Sequence, residues 1–379
     1  MCKRVFVLAV MLAVTAGLST GASARPGMLI GLFDDAQVQA NPDKAFATFT
    51  KLRAKVARVN LSWGGRFGVA AKKPKDPFNP ADPAYDWSHV DDIVTSASKY
   101  KIKLLFSIVT TPRWNGGGAF GNRAPANYRY LRGFAKAAAR RYSGSYTPKD
   151  ADKPLGKVRM WLAWNEPNNP VFISPQFRRI RGRWVAWSPL VYAKICGAVY
   201  AGIHSTGISG EQVACGGTDP RGNNAPRSSR PSVGPLPFLK ALKKDGLRRF
   251  DAYAHHPYAV GNRFTPYSKP ARYDHSTVML GNIGDLIKQL TREYGRKPLW
   301  ITEYGWQTNP PDRHFGVSWR NQARYLSQAF AIARRNPRIS LMLWFLIRDE
   351  RQVSRWQSGF FTWNGRKKPA YDAFRRLPH

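Results

Sequence analysis

Short runs of consecutive apolar and β-branched residues recur along this chain, spaced by longer stretches of helical composition. The runs lie at 28–33, 57–63, 104–109, 160–164, 212–216, 251–255, 299–302 and 340–346. Each is nearly continuous in apolar character rather than alternating, as expected of a strand covered on both faces. Between them, segments 87–100, 128–142, 189–205, 236–244, 277–294 and 319–336 read as helices, with Ser188 and Ser318 placed to cap two of them. Eight strands alternating with helices predict a parallel sheet, and that number predicts closure into a single (β/α)8 TIM barrel with long βα loops. A doubly wound open sheet is the alternative.

The N-terminus has a different pattern. Lys3 and Arg4 precede an apolar run from Val5 to Leu18 and a small-residue ending at Ala22-Ser23-Ala24, the layout of a secretory signal peptide over residues 1–24. The run is shorter than the roughly 20 residues a membrane span needs. Residues 25–379 then form one domain, an exported or cell-wall-associated monomer with no transmembrane segment. No Ser/Gly/Pro linker, low-complexity tract or short repeat divides it. Cys196 and Cys215 are the cysteines beyond the leader. A disulfide and two buried free thiols are equally compatible with their positions.

The formal charge is +37, or +35 once Lys3 and Arg4 leave with the leader. Such a field favours polyanions such as acidic polysaccharides and wall polymers. Basic residues spread thinly over a solvated surface are the competing account. They run through the whole chain and form no nucleic-acid-binding motif, so no specific nucleic-acid partner is expected.

Two segments stand out, each placing an acid just after a strand. One is W-L-A-W-N-E-P-N-N-P at 161–170, the other L-W-I-T-E-Y-G-W at 299–306. In a barrel both open onto the C-terminal face, where catalytic groups sit. Pro167 helps to stop the first strand after Glu166, and Gly305 allows a sharp turn after Glu303. The two acids are 137 residues apart, which places one on the fourth strand and the other on the seventh. Two carboxylates across one cleft can divide the work of cleaving a glycosidic bond, one protonated and the other ionised.

The N-E-P after an aromatic strand, paired with the later E-Y-G-W, resembles the signatures of clan A glycoside hydrolases, retaining (β/α)8 enzymes. Families 5 and 39 are the nearest in flavour. The resemblance implies Glu166 as general acid/base, Asn165 as a contact to the sugar 2-hydroxyl and Glu303 as nucleophile. It also implies Arg58 in A-R-V-N beside the nucleophile, His256 and Tyr258 in H-H-P-Y lining the site, and Trp344 as the floor of the sugar subsite. The C-terminal G-F-F-T-W-N-G-R-K-K-P-A-Y-D-A-F resembles the closing strand and final helix of such enzymes.

Residue by residue, blander roles compete. Glu166 could be a helix N-terminal acid, Arg58 a structural ion-pair partner and His256 a satisfied core histidine. Trp63, Trp114 and Trp306 fall at or just past strand ends, where aromatic faces can stack on sugar rings, and Trp164 is divided between that use and core packing. Asn115 and Asn168 suit hydroxyl recognition and turn formation equally. No metal-binding motif and no glycine-rich phosphate loop is found, so neither metal nor cofactor is expected. The expected partner is a carbohydrate, with an acidic polysaccharide or wall polymer suggested by the charge. A catalytically silent polysaccharide-binding barrel is the alternative function.

Overall fold

The computed structural model describes residues 27–272, 274 and 276–378. The expected leader over residues 1–24 lies outside the described residues. In chain order the elements are β1 (Leu29–Phe33), α1 (Asp35–Ala40), α2 (Pro42–Lys51), β2 (Val56–Ser62), α3 (Ser88–Lys99), β3 (Lys103–Val109), α4 (Tyr128–Arg141) and β4 (Met160–Ala163). They continue with β5 (Phe177–Ile180), β6 (Arg183–Ala186), α5 (Ser188–His204), β7 (Gln212–Thr218), α6 (Pro235–Lys244), β8 (Ala252–His255) and α7 (Ile283–Tyr294). The chain ends through β9 (Leu299–Ile301), α8 (Trp319–Arg335), β10 (Ile339–Phe345) and α9 (Pro369–Arg375).

Eight of these strands close into a parallel barrel in the order β1-β10-β9-β8-β7-β4-β3-β2. The remaining two, β5 and β6, form an antiparallel hairpin in the β4–α5 connection. Its two-residue turn, Arg181-Gly182, has φ of 47° and 77°, the positive values that a twist-matched turn requires at both positions.

Period-two alternation sorts the strand residues into two layers. Val56, Leu105, Met160, Leu162, Ala214, Ala252, Ala254, Trp300, Leu341 and Leu343 fill the barrel. Ala57, Val59, Phe106, Trp161, Tyr253, Ile301, Met342 and Trp344 pack outward in the larger cluster that includes the helices. Two residues beyond the inner positions come Arg58, Ser107, His256, Thr302 and Phe345. The barrel's own alternation therefore delivers a polar layer to its C-terminal mouth.

Ser318 caps α8 by accepting from the Asn321 backbone N–H at 3.2 Å. Ser188 does not cap α5: the helix already includes it, and its hydroxyl donates to Gln176 Oε1 at 2.9 Å. The segment read as one helix over 277–294 begins as a 3-10 turn at Leu280–Asn282 before α7. Helices α1 and α2 were not foreseen. Asp34 and Asn41 cap them, and Pro42 opens the second.

Cys196 of α5 and Cys215 of β7 are joined by a disulfide, with Cα atoms 6.0 Å apart. The alternative left open by the sequence is thereby settled. Among the described residues no helix is long and apolar enough to cross a membrane.

Candidate active site

Glu166 follows β4 in strained backbone. Trp164 has φ of 72° and Glu166 φ of 34°, conformations that cost non-glycine residues on the order of 1–3 kcal/mol each. What holds them is next door. At the end of β7 the register slips between Gly216 and Thr218, and Gly216 and Gly217 take φ of 101° and 60°. A Cβ on Gly216 would meet the Ala254 carbonyl oxygen at 2.4 Å, so only glycine fits. The bulge turns the Gly217 carbonyl to accept from the Glu166 backbone N–H at 2.9 Å.

Glu303 lies two residues past β9. Its Oε2 accepts from Arg58 at 3.0 Å and its Oε1 from the Tyr258 hydroxyl at 3.0 Å. Arg58 is fully buried and spends every branch of its guanidinium. It donates to Ser107 Oγ at 2.9 Å, to the Thr302 carbonyl at 3.3 Å and to Asn165 Oδ1 at 2.5 Å, and it lies 4.1 Å over the Phe33 ring. A planar fork of donors suits this multiple grip in a way that a lysine ammonium would not.

His256 stands between the two acids. Its Nδ1 is 3.0 Å from Glu166 Oε1 and 3.7 Å from Glu303 Oε2. Its Nε2 faces Thr302 Oγ1 at 3.0 Å and an Arg58 N–H at 3.3 Å. Arg58 can only donate, so Nε2 is the acceptor and Nδ1–H donates to Glu166. Burial, with Arg58 adding to it, holds this imidazole's pKa down to about 3, so it is neutral at ordinary pH. His255 turns the other way, between Thr218 Oγ1 at 2.8 Å and the Val278 carbonyl at 3.0 Å. It is the satisfied core histidine of the pair.

Glu166, His256 and Glu303 each bring a ligand-type atom within 4.8 Å of the others. Such a donor set could in principle surround a cation. Arg58, ion-paired to Glu303, already supplies the positive charge there. Burial is the largest influence on both acids and raises both pKa values. For Glu303, the Arg58 charge and the Tyr258 hydroxyl pull back. For Glu166 a second acid pushes the same way: Asp219, just past β7.

Asp219 is a residue that sequence reading missed. The Asn169 amide nitrogen lies 3.3 Å from Glu166 Oε2 and 3.1 Å from Asp219 Oδ2, joining the two carboxyls. Arg230 donates to Asn169 Oδ1 at 3.3 Å. D-P-R-G at 219–222 reads as a turn, and only the β7 bulge brings it to Glu166.

Strand β2 and the residues that follow β4, β8 and β9 thus bring Arg58, Asn165, Glu166, His256, Tyr258 and Glu303 together. The tryptophans are placed otherwise. Trp344 is fully buried, one residue off the inward parity, with its indole N–H donating to the Ser358 carbonyl at 3.0 Å. The inward place belongs to Phe345, whose ring packs 5.2 Å from Trp356 and 5.4 Å from Phe33. Trp356, half-buried and 5.1 Å from Tyr258, is the indole beside the site.

Trp63 is fully buried between Trp114 and Phe134. Trp306 packs on Tyr325 of α8 and donates to the Tyr304 hydroxyl. These two, like Trp344, belong to the packing between barrel and helices and are corrected from sugar contacts to core residues. Trp114 is half-buried and tied to the Ala70 carbonyl at 2.8 Å, with Trp63 and Tyr130 against it. Trp164 donates to the Phe172 carbonyl at 2.8 Å and is also core. Asn115 clamps Asn127, and Asn168 pins the segment 219–233 through Asp219 and Val233. Both asparagines are loop braces.

Residues 241–374, from the end of α6 to α9, match the family model described as glycosyl hydrolase catalytic core. Over that part of the chain the expected resemblance to glycoside hydrolases is met by this model, and solved glycosidases share the barrel fold. Among solved structures, a family 39 glycoside hydrolase from the gut symbiont Bacteroides cellulosilyticus is 19% identical. It matches with a TM-score of 0.61 over 91% of this chain and 62% of its own. A glucosidase from Croceicoccus marinus is 13% identical, with a TM-score of 0.59 over 87% of this chain and 62% of its own. A GH5_18 protein from Bifidobacterium longum, solved with Manb1-4GlcNAc, is 11% identical, with a TM-score of 0.56 over 92% and 77%. The chain thus spans about three fifths of the first two structures. No curated protein matches it in sequence. The matched region of the glycosyl hydrolase core contains His256, Tyr258 and Glu303, while Arg58 and Glu166 come from the N-terminal half of the barrel.

Proposed function

We propose that this protein is an exported retaining glycoside hydrolase that cleaves O-glycosidic bonds of a poly- or oligosaccharide by double displacement. The observation that carries the reading is the spacing of the acids. An oxygen of Glu166 and one of Glu303 lie within 4.8 Å. Retaining enzymes hold their carboxyls about 5–5.5 Å apart, whereas inverting ones leave about 6.5–9.5 Å for a water.

The two environments divide the labour. Glu166, with its pKa pushed up by burial and by Asp219, keeps its proton and gives it to the departing glycosidic oxygen. Glu303 has both oxygens held by Arg58 and Tyr258 and attacks the anomeric carbon as that C–O bond breaks. Glu166, now ionised, takes a proton from water. The water oxygen then displaces Glu303 and restores both carboxyls to their starting states. Asn165 accepts from Arg58 through Oδ1, which directs its amide nitrogen as a donor for a sugar hydroxyl. Trp356 offers the aromatic face. Export is supported by the leader pattern at residues 1–24 and by the Cys196–Cys215 disulfide, a bond that persists in oxidising compartments.

The test is a panel of neutral and acidic glycans with the wild type and Glu303→Gln, together with an activated 2-fluoro-glycoside. Label on Glu303 and turnover lost in the variant are expected. Glycan binding without turnover, unchanged by the substitution, would replace the proposal with a binding barrel.

A further inference from the structure

Glu166 has two neighbours that an acid/base residue does not need for proton transfer itself: the Asn169 amide and, across it, Asp219. The amide has two hydrogens and lies within 3.3 Å of one oxygen of each carboxyl. Asp219 is fixed from three directions. Its backbone N–H donates to Asn168 Oδ1 at 2.8 Å, its Oδ1 accepts from the Arg221 backbone N–H at 3.0 Å, and its Oδ2 takes the Asn169 amide. The same Asn168 anchors Val233, so the segment carrying Asp219 is tied at both ends to the loop that carries Glu166.

The charges around the pair are unequal. Facing Glu166 are Arg58 from β2, His256 and Tyr258 from the end of β8, Glu303 from the end of β9, Asp219 from the end of β7, and Arg230. Arg58 is ion-paired to Glu303 and His256 is neutral. Burial raises the Asp219 pKa as well, but the Arg221 backbone donor, the Arg221 and Arg230 charges and the Asn169 amide pull it back, whereas burial and Asp219 together hold Glu166 well above its ordinary value. Of two carboxyls linked in this way, the one with more compensating donors and positive charge ionises first, and its charge then opposes ionisation of the other.

We propose that Asp219 is a positioning residue that keeps the proton on Glu166, the two carboxyls forming an Asn169-bridged pair that holds one proton between them at neutral pH. The inference rests on the glycosidase reading for its use. In the first step the pair keeps the acid loaded, and in the second the Asp219 charge makes ionised Glu166 a stronger base toward water.

The test reads Glu166 itself. The chain has five glutamates, so protein labelled with 13C at the glutamate carboxyl gives a resolvable set of signals, with that of Glu166 identified by its loss in Glu166→Gln. The expected result is a Glu166 midpoint that falls by about one pH unit or more in Asp219→Asn and returns in Asp219→Glu. The alkaline limb of kcat/KM should shift the same way for substrates with poor leaving groups. An unchanged midpoint in Asp219→Asn, or in Asp219→Ser should the first variant not fold, overturns the proposal. Absence of turnover in the wild type would overturn the glycosidase reading instead, and the titration would still decide the role of Asp219.

Discussion

Removing the charge of Arg58 while keeping its bulk, as in Arg58→Met, leaves Glu303 buried without its ion-pair partner. A loss of about 3–5 kcal/mol in unfolding free energy is expected, measured by denaturant titration. A change below about 1 kcal/mol would show that the pair is dispensable for folding. Glu166 leads to a prediction of opposite sign. Its folded pKa is raised above its ordinary value of 4.5, so the stability it contributes is full below about pH 4.5. That contribution is lost as pH rises toward the folded value, because the unfolded chain releases its proton first. Glu166→Gln does not titrate, so its melting temperature should gain on the wild type between pH 4 and pH 8. A pH-independent difference would contradict the raised pKa. On substrates with poor leaving groups the same variant should lose about 10²–10⁴-fold in kcat/KM. At this scale the sequence was informative where a motif named an atom, as in N-E-P and T-E-Y-G-W. It misled where parity mattered. Trp344 and Phe345 are adjacent, and a one-residue difference decides which of them faces the cleft.

Among the elements, the eight barrel strands were legible because burial on both faces writes itself as an unbroken apolar run. The hairpin β5–β6 was not, since five of its ten residues, 177–186, are arginine or tryptophan and most of its strand positions are exposed. Nor was the connection from β10 to α9, which carries Trp356 beside the site. It is held from beneath by Lys368, fully buried and bonded to Asp349 at 2.7 Å, to Thr308 Oγ1 at 2.8 Å and to the Gln357 carbonyl at 3.1 Å. Lys368→Met strands the Asp349 charge. The expected outcome is faster limited proteolysis at the exposed arginines Arg351 and Arg355 and a raised KM as Trp356 loses its support. Unchanged cleavage would relieve Lys368 of that role. The disulfide ties α5 to β7, whose bulge supports Glu166. Closing a loop of this length contributes about 3 kcal/mol in the chain-entropy account, so the Cys196→Ala/Cys215→Ala variant should unfold at lower denaturant.

For the molecule as a whole, the +37 charge predicts an effect on encounter rather than on chemistry. Raising salt from about 0.01 M to about 1 M contracts the screening length from about 30 Å to about 3 Å. Over that range kcat/KM on an acidic polysaccharide should fall by about tenfold or more, with a neutral polymer of the same backbone unaffected. Equal salt dependence for both would make the charge a compositional habit of the surface. Arg58 works at this scale too. It touches Ser107 of β3, Phe33 of β1, Asn165 after β4, His256 after β8, and Thr302 and Glu303 after β9, so one side chain laces five of the eight staves at their upper rim. Among the described residues the candidate site is therefore no separate, softer compartment that could melt while the barrel endures: heat should extinguish any turnover and open the barrel at one and the same temperature.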